Sequence, residues 1–182
     1  KVELLAKEEK QHKPTYSHDP EKDVRKVKIQ KRLLEEILAS NISSGIVLTL
    51  SWIKCIVEKQ INTKFPNLQF LSCELDKPTF FQLENEILSK GLKFMLEPLR
   101  CEIGRIIRLS AKDTYSHLLL DYCGHLNSFK DEIEIAIKNK IVKTNGIIWI
   151  TVVGRSGKGL KGFNAKDELI SLIKKSGSDD YK

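Results

Sequence analysis

The sequence predicts a three-layer α/β/α domain built on a mostly parallel sheet. Short apolar runs rich in β-branched residues alternate with longer amphipathic segments. These runs are hydrophobic almost throughout, as strands buried on both faces are. Acids, hydroxyls or glycine stand directly after several of them. Alternation of this kind implies βαβ units, with helices on both faces of the sheet.

The elements follow in order. Residues 1–20 have mixed charge and little periodicity, and are expected to form a flexible basic segment ahead of a single domain over 21–175. A helix is predicted from about Pro20 to Ala39, because Ile29, Leu33 and Ile37 recur at four-residue spacing. Gly45–Leu50 reads as the first strand, and Ser51 as the N-cap of a helix with Trp52, Ile53, Ile56, Val57 and Ile61 on one face. Leu68–Cys73 is the second strand. Pro78 marks the first turn of the next helix, and Gly91 its end. Lys93–Glu97 is predicted as a short third strand.

The segment 101–111 is ambiguous, although Ile103, Ile106 and Ile107 suit helical spacing better than alternation. His117–Asp121 is a strand that ends on a carboxylate. Ser128 and Asp131 resemble a capping box for a helix running to Lys143, with Phe129, Ile133, Ile137 and Ile141 at strict four-residue spacing. Ile147–Val153 is the strongest strand signal. A helix over about Ala165–Lys175 and a tail over 176–182 complete the chain.

Composition narrows the function classes. A chain of 182 residues with 41% hydrophobic and 30% charged residues is long enough for a real core. No apolar run approaches the roughly 20 residues of a membrane span. The N-terminal stretch lacks the apolar core of a signal peptide. The chain opens on Lys1 rather than Met, as a piece of a longer protein does. Four cysteines without a CxxC pair predict neither a zinc ribbon nor a disulfide scaffold. They point to free thiols in a reducing compartment, hence a cytoplasmic protein. Net charge is +7, and ten basic against six acidic residues over 1–32 supply +4 of it. That balance raises nucleic acid as a partner, although Lys-rich sequences are often basic without binding anything.

Ligands of such sheets bind at the carboxyl ends of strands, near the point where strand order reverses. Thr49 and Ser51, Glu74 and Asp76, and the turn Asp121-Tyr122-Cys123-Gly124 are therefore the candidate site residues. A carboxylate closing an apolar strand is costly to bury unless paired or used. Tyr122 offers a stacking face, and Gly124 permits close approach of a ligand. The plain alternative is a capping Asp, an incidental Tyr and a turn Gly. Asp76 likewise reads either as a ribose ligand or as the cap of the helix opened by Pro78.

Cys123 and His125 lack a third orienting group for nucleophilic chemistry and further ligands for a metal, so no metal site is predicted. The run Gly154–Gly159 fails the GxxxxGK[ST] spacing. Arg155 and Lys158 within it are candidate contacts to substrate phosphate.

The order of these pieces resembles the core of a class I S-adenosylmethionine-dependent methyltransferase, a Rossmann-like fold, over roughly residues 42–154. The likeness rests on Gly45–Leu50, on Cys73-Glu74-Leu75-Asp76, on Asp121-Tyr122-Cys123-Gly124, and on the strand Gly146–Thr151. It implies S-adenosylmethionine as cofactor, held by Glu74 at the ribose. It also implies Asp121 and Tyr122 beside the methyl donor and acceptor. Leu48-Thr49-Leu50-Ser51-Trp52 departs from the family pattern, which has a glycine-rich turn there. Asp-Tyr-Cys-Gly also differs from the Asp-Pro-Pro-Tyr type motif. The expected activity is methyl transfer to an acceptor, with nucleic acid favoured by charge. The alternatives are a non-catalytic Rossmann-like module that binds nucleic acid or protein, and a nuclease gathering Glu74, Asp76, Glu97 and Asp121 around a metal.

Overall fold

A computed structural model describes residues 24–122, 126–151 and 165–175. Among the described residues the strands are β1 (Ser44–Thr49), β2 (Asn67–Cys73), β3 (Leu96–Leu99), β4 (His117–Asp121) and β5 (Ile148–Thr151). The helices are α1 (Val24–Ala39), α2 (Ile56–Lys64), α3 (Lys77–Ser89), α4 (Ile103–Leu109), α5 (Lys130–Lys138) and α6 (Ala165–Lys175). All strand pairs are parallel, in the order β3-β2-β1-β4-β5. Strand order therefore reverses between β1 and β4. This is the Rossmann-like three-layer arrangement expected from the sequence, with every strand pair among the described residues parallel.

Period-two alternation distributes the apolar runs between the two faces. On β1, Val47 packs with Leu33, Ile37, Ile61, Phe70 and Leu83, on the side covered by α1, α2 and α3. Its neighbour Leu48 packs with Ile103, Ile107, Ile133 and Ile137, on the side of α4 and α5. On β4, Leu119 joins the first group, while Leu118 and Leu120 join the second. Ion pairs brace helices on each side: Lys59 to Glu86 at 3.3 Å between α2 and α3, and Lys130 to Glu168 at 2.6 Å between α5 and α6. Such partly exposed pairs are screened by solvent and contribute little, so burial carries the fold.

Several boundaries differ from the expected ones for identifiable reasons. Ser51 does not cap α2. The chain turns through residues 51–54, Cys55 N donates to Trp52 O at 2.8 Å, and Cys55 takes a left-handed conformation at φ 49° before α2 starts at Ile56. Left-handed Gly91 opens a short 3₁₀ helix over Leu92–Phe94, so β3 begins at Leu96 rather than Lys93. The ambiguous segment forms α4. Ser128 lies in a 3₁₀ turn and Phe129 is the N-cap of α5, without a side-chain hydrogen bond. That helix stops at Lys138 because Lys140 goes left-handed at φ 49°. Val142 then bridges to Tyr115 beside the sheet.

The amino edge of the sheet is pinned around His117 and Gly146. Buried His117 accepts a hydrogen bond from Ile147 N at 3.1 Å through Nδ1, and burial holds its pKa below the usual imidazole value. A Cβ on Gly146 would run into the carbonyl oxygen of Ser116 and the side chain of Val142. Backbone cannot yield as a long side chain can. Gly146→Ala is therefore expected to destabilise the fold by about 1–3 kcal/mol. Urea unfolding should show a lower midpoint at unchanged slope, and an unchanged midpoint would contradict this packing.

Candidate functional site

The carboxyl ends of β1, β4 and β5 frame a cavity of about 170 Å³ at the strand-order reversal. Thr49, Leu119, Asp121, Trp149 and Thr151 come from the sheet, Trp52 from the turn after β1, and Ile56, Val57 and Glu58 from α2. Ile29, Gln30 and Leu33 of α1 complete its wall. Its volume is close to the roughly 150 Å³ that accommodates one benzene-sized molecule. It lies below the roughly 300–1,000 Å³ of common small-molecule pockets.

Strand pairing sets the floor. Thr49 lies opposite Ser72 of β2 and Leu119 of β4, and Asp121 opposite Thr151 of β5. Leu50 N donates to Leu119 O at 3.1 Å, and Ser51 N to Ser72 Oγ at 3.2 Å, fixing the start of the turn after β1. Alternation on β4 then sends Asp121 and Tyr122 to opposite sides. Asp121 stays exposed beside the cavity. Tyr122 is buried among the α4 and α5 side chains. Its ring stacks on Phe129 with centroids 3.8 Å apart, and its hydroxyl donates to Glu132 at 2.8 Å. Burial and the Glu132 carboxylate push the phenol's pKa well above its usual value. The stacking face that the sequence offered to a ligand is thus taken by Phe129. Gly104 of α4 leaves the space that the Glu132 carboxylate fills.

Glu58 is the residue that sequence reading missed. It is only 3% exposed, and its Oε1 accepts from Thr49 Oγ1 at 3.3 Å. Burial is the main reason that its pKa is raised. The Ser51 and Thr49 hydroxyls work against the rise, and the charge of Asp121 adds to it. Buried Ser51 Oγ makes no hydrogen bond of full geometry among the described residues, and it acts on Glu58 through its proximity. The only signal in the sequence was an acid between Val57 and Lys59, three residues before Ile61 on the helix face.

The acids after β2 lie across β1 from this cavity. Glu74 N donates to Leu99 O at 3.0 Å, and Glu74 Oε1 accepts from Asp76 N at 2.7 Å. Its carboxyl is half-buried, and desolvation raises its pKa. Asp76 caps α3, accepting from Thr79 N at 2.9 Å and Thr79 Oγ1 at 2.7 Å, and these bonds lower its pKa. Neither Glu74 nor Asp76 lines the cavity. Among the described residues no three His, Cys, Asp or Glu side chains gather as metal ligands. Arg155, Lys158, Cys123, Gly124 and His125 lie outside the described residues.

No family model matches the sequence, and no curated protein matches it. Solved structures do match its fold. The chain is similar to a putative sarcosine dimethylglycine methyltransferase from Galdieria sulphuraria, with a TM-score of 0.66 at 13% identity, over 89% of this chain and 66% of that one. It is similar to a geranyl diphosphate methyltransferase in complex with GPP and sinefungin, with a TM-score of 0.62 at 9% identity, over 83% and 59%. A putative rRNA-methylase from Clostridium thermocellum matches with a TM-score of 0.53 at 12% identity, over 77% and 76%.

The Glu58 carboxyl supplies a direct check on the cavity's polarity. Its pKa is raised in the folded protein, so between the ordinary carboxylate value of 4.5 and that higher value the native state holds the extra proton. Stability falls as pH rises through that interval. Glu58→Gln removes the dependence. The variant is expected to gain stability relative to the parent as pH rises from 4 to 8, and a difference independent of pH would refute the raised pKa. At these low identities the neighbours establish architecture alone, and the chain has the Rossmann-like fold of the methyltransferases it resembles.

Proposed function

We propose that this chain is an S-adenosylmethionine-dependent methyltransferase domain. The observation that carries the reading is a cavity at the β1/β4 strand-order reversal with the Asp121 carboxylate in its lining. The neighbouring methyltransferase folds support it, among them one whose complex contains sinefungin, an analogue of that cofactor.

The residues present fit the cofactor in two parts. Glu74 stands where the resemblance assigns the ribose acid, in a carboxyl already oriented by the Asp76 backbone. Asp76 holds that loop through its cap of α3. On the β1 side, Thr49, Ser51 and Glu58 offer hydroxyls and a buried carboxyl in place of glycines. A cavity of about 170 Å³ would hold at most one end of such a molecule. When bound, the cofactor supplies an activated methyl group. The protein contributes alignment and exclusion of water, which account for much of such a rate enhancement. Asp121 is placed to orient the acceptor or to take its proton. Tyr122 is a positioning residue, anchoring the turn after β4 from the opposite face.

A net charge of +7 and the rRNA-methylase neighbour support nucleic acid as a partner. Arg155 and Lys158 are the proposed phosphate contacts. Cys55, Cys73 and Cys101 as free thiols favour a reducing, cytoplasmic setting. The second reading is a non-catalytic binding module, favoured by the glycine-free turn after β1 that brings Trp52 to the cavity.

Calorimetric titration with S-adenosylhomocysteine separates the two. Saturable binding that Glu74→Ala weakens about tenfold is expected, the loss of one charge-assisted hydrogen-bond set. Absence of heat at millimolar ligand would leave the binding-module reading in its place. Binding unchanged by Glu74→Ala would remove the ribose assignment alone.

A further inference from the structure

Two cysteines that stand 28 residues apart in sequence meet at the carboxyl end of the sheet, where the Sγ of Cys101 donates to the Sγ of Cys73 at 3.7 Å. Both are free thiols. The backbone brings them together. Cys73 closes β2 and lies opposite Leu99 of β3, so a chain that stayed extended would carry Cys101 past it. Instead Cys101 N donates to Leu99 O at 3.0 Å, which folds the chain back in a tight turn. Glu74 N donates to the same carbonyl at 3.0 Å. One oxygen therefore holds both cysteine-bearing segments in place.

The two thiols differ in access. Cys73 is 1% exposed, in the apolar cluster that holds Ile103, Ile107 and Tyr115. Cys101 is partly exposed at the edge of that cluster. Burial, and then the neighbouring Cys101 sulfur, push the Cys73 thiol above its usual pKa. Cys55 gives the contrast. It is fully buried, its Sγ donates to Ile53 O at 3.6 Å, and burial pushes its thiol up to about 12.

We propose that Cys73 and Cys101 form a reversible disulfide, with Cys101 as the thiol that meets a small disulfide oxidant and Cys73 as the thiol that completes the exchange. The Cys101 sulfur, as thiolate, attacks one sulfur of the oxidant. The oxidant's S–S bond breaks, one small thiol leaves with a proton, and a mixed disulfide remains on Cys101. Cys73 Sγ then attacks Cys101 Sγ and expels the second small thiol, which takes up the Cys73 proton. Two protein thiols are thereby oxidised by two electrons, and one small disulfide is reduced to two thiols. Excess small thiol runs the same steps backwards.

The sulfurs must approach by roughly 1.6 Å to reach the bond length of about 2.05 Å. β2 is paired on both edges, which fixes Cys73. Cys101 stands between β3 and α4, outside either element, and supplies the movement. Disulfides that form in a reducing compartment are commonly transient and redox-responsive, so this bond is compatible with free thiols as the resting state. Neither thiol is assigned a part in methyl transfer, and the bond stands whether or not the chain binds S-adenosylhomocysteine.

The folded full chain should be incubated with excess oxidised glutathione, then denatured in acid, alkylated and digested for mass spectrometry. A fragment pair linking Cys73 to Cys101 is expected, and reduced glutathione in excess should split it. Cys101→Ser should abolish the link and leave Cys73 free of glutathione. Cys73→Ala should trap one glutathione on Cys101 that the parent chain expels. Alkylation of both Cys73 and Cys101 in the oxidised parent would overturn the proposal. So would a link from either one to Cys55 or Cys123 in its place, or glutathione that stays on Cys101 of the parent. Mapping of the parent decides the bond by itself, even if Cys73→Ala fails to fold.

Discussion

β1 is hydrogen-bonded on both edges and packed on both faces, and every feature of the site is placed relative to its last residues. Val47 and Leu48 are fully buried on opposite sides, and Thr49 is 2% exposed. A parallel strand must be left by a crossover, so the chain departs from Thr49 over one face to reach β2, and β4 fills the other edge later. The two exits run in opposite directions. Side chains between them cannot be covered by either connection, and a crevice opens there. The cavity, Asp121 and the buried Thr49–Glu58 contact all follow from that separation.

The alternation that builds the two cores also sorts the chemistry. Because Leu119 belongs with α1, α2 and α3, the next residue but one, Asp121, emerges on their side, beside the cavity. Tyr122 follows Leu118 and Leu120 to the other side. Its bond to Glu132 and its stack on Phe129 lock the start of the turn against α5. One dipeptide therefore provides a cavity-side carboxylate and a rear anchor, and the second limits how far the first can move. Gly104 contributes from α4 by leaving room for Glu132.

The fold was largely legible because its strands are continuous apolar runs bounded by polar residues, and a parallel sheet requires such runs. His117–Asp121 and Ala165–Lys175 have the bounds that the pattern implies. The failures occur where a non-glycine residue turns left-handed. Cys55 delays α2 and Lys140 shortens α5, and neither residue type advertises a positive φ. The candidate site was legible only in part. Strand ends point to Asp121 and Thr49, which line the cavity, and to Glu74, which does not. Glu58 and Trp149 carry no local mark. An acid on a helix and an indole in a strand become neighbours of a cavity only through tertiary packing. Tyr122 was misread for the same reason, because its partner Phe129 was assigned to a helix face without a known direction.

Charge makes the last distinction. A basic chain attracts polyanions over a Debye length of about 8–10 Å, while a buried carboxyl such as Glu58 acts only on groups in contact with it. These are not competing signals, because they act at different distances and in different dielectric surroundings. Burial favours the protonated form of Glu58, so that acid adds less negative charge to the cavity than its residue type implies. The composition of the whole chain describes what it can approach, whereas the lining of one cavity describes what it can admit.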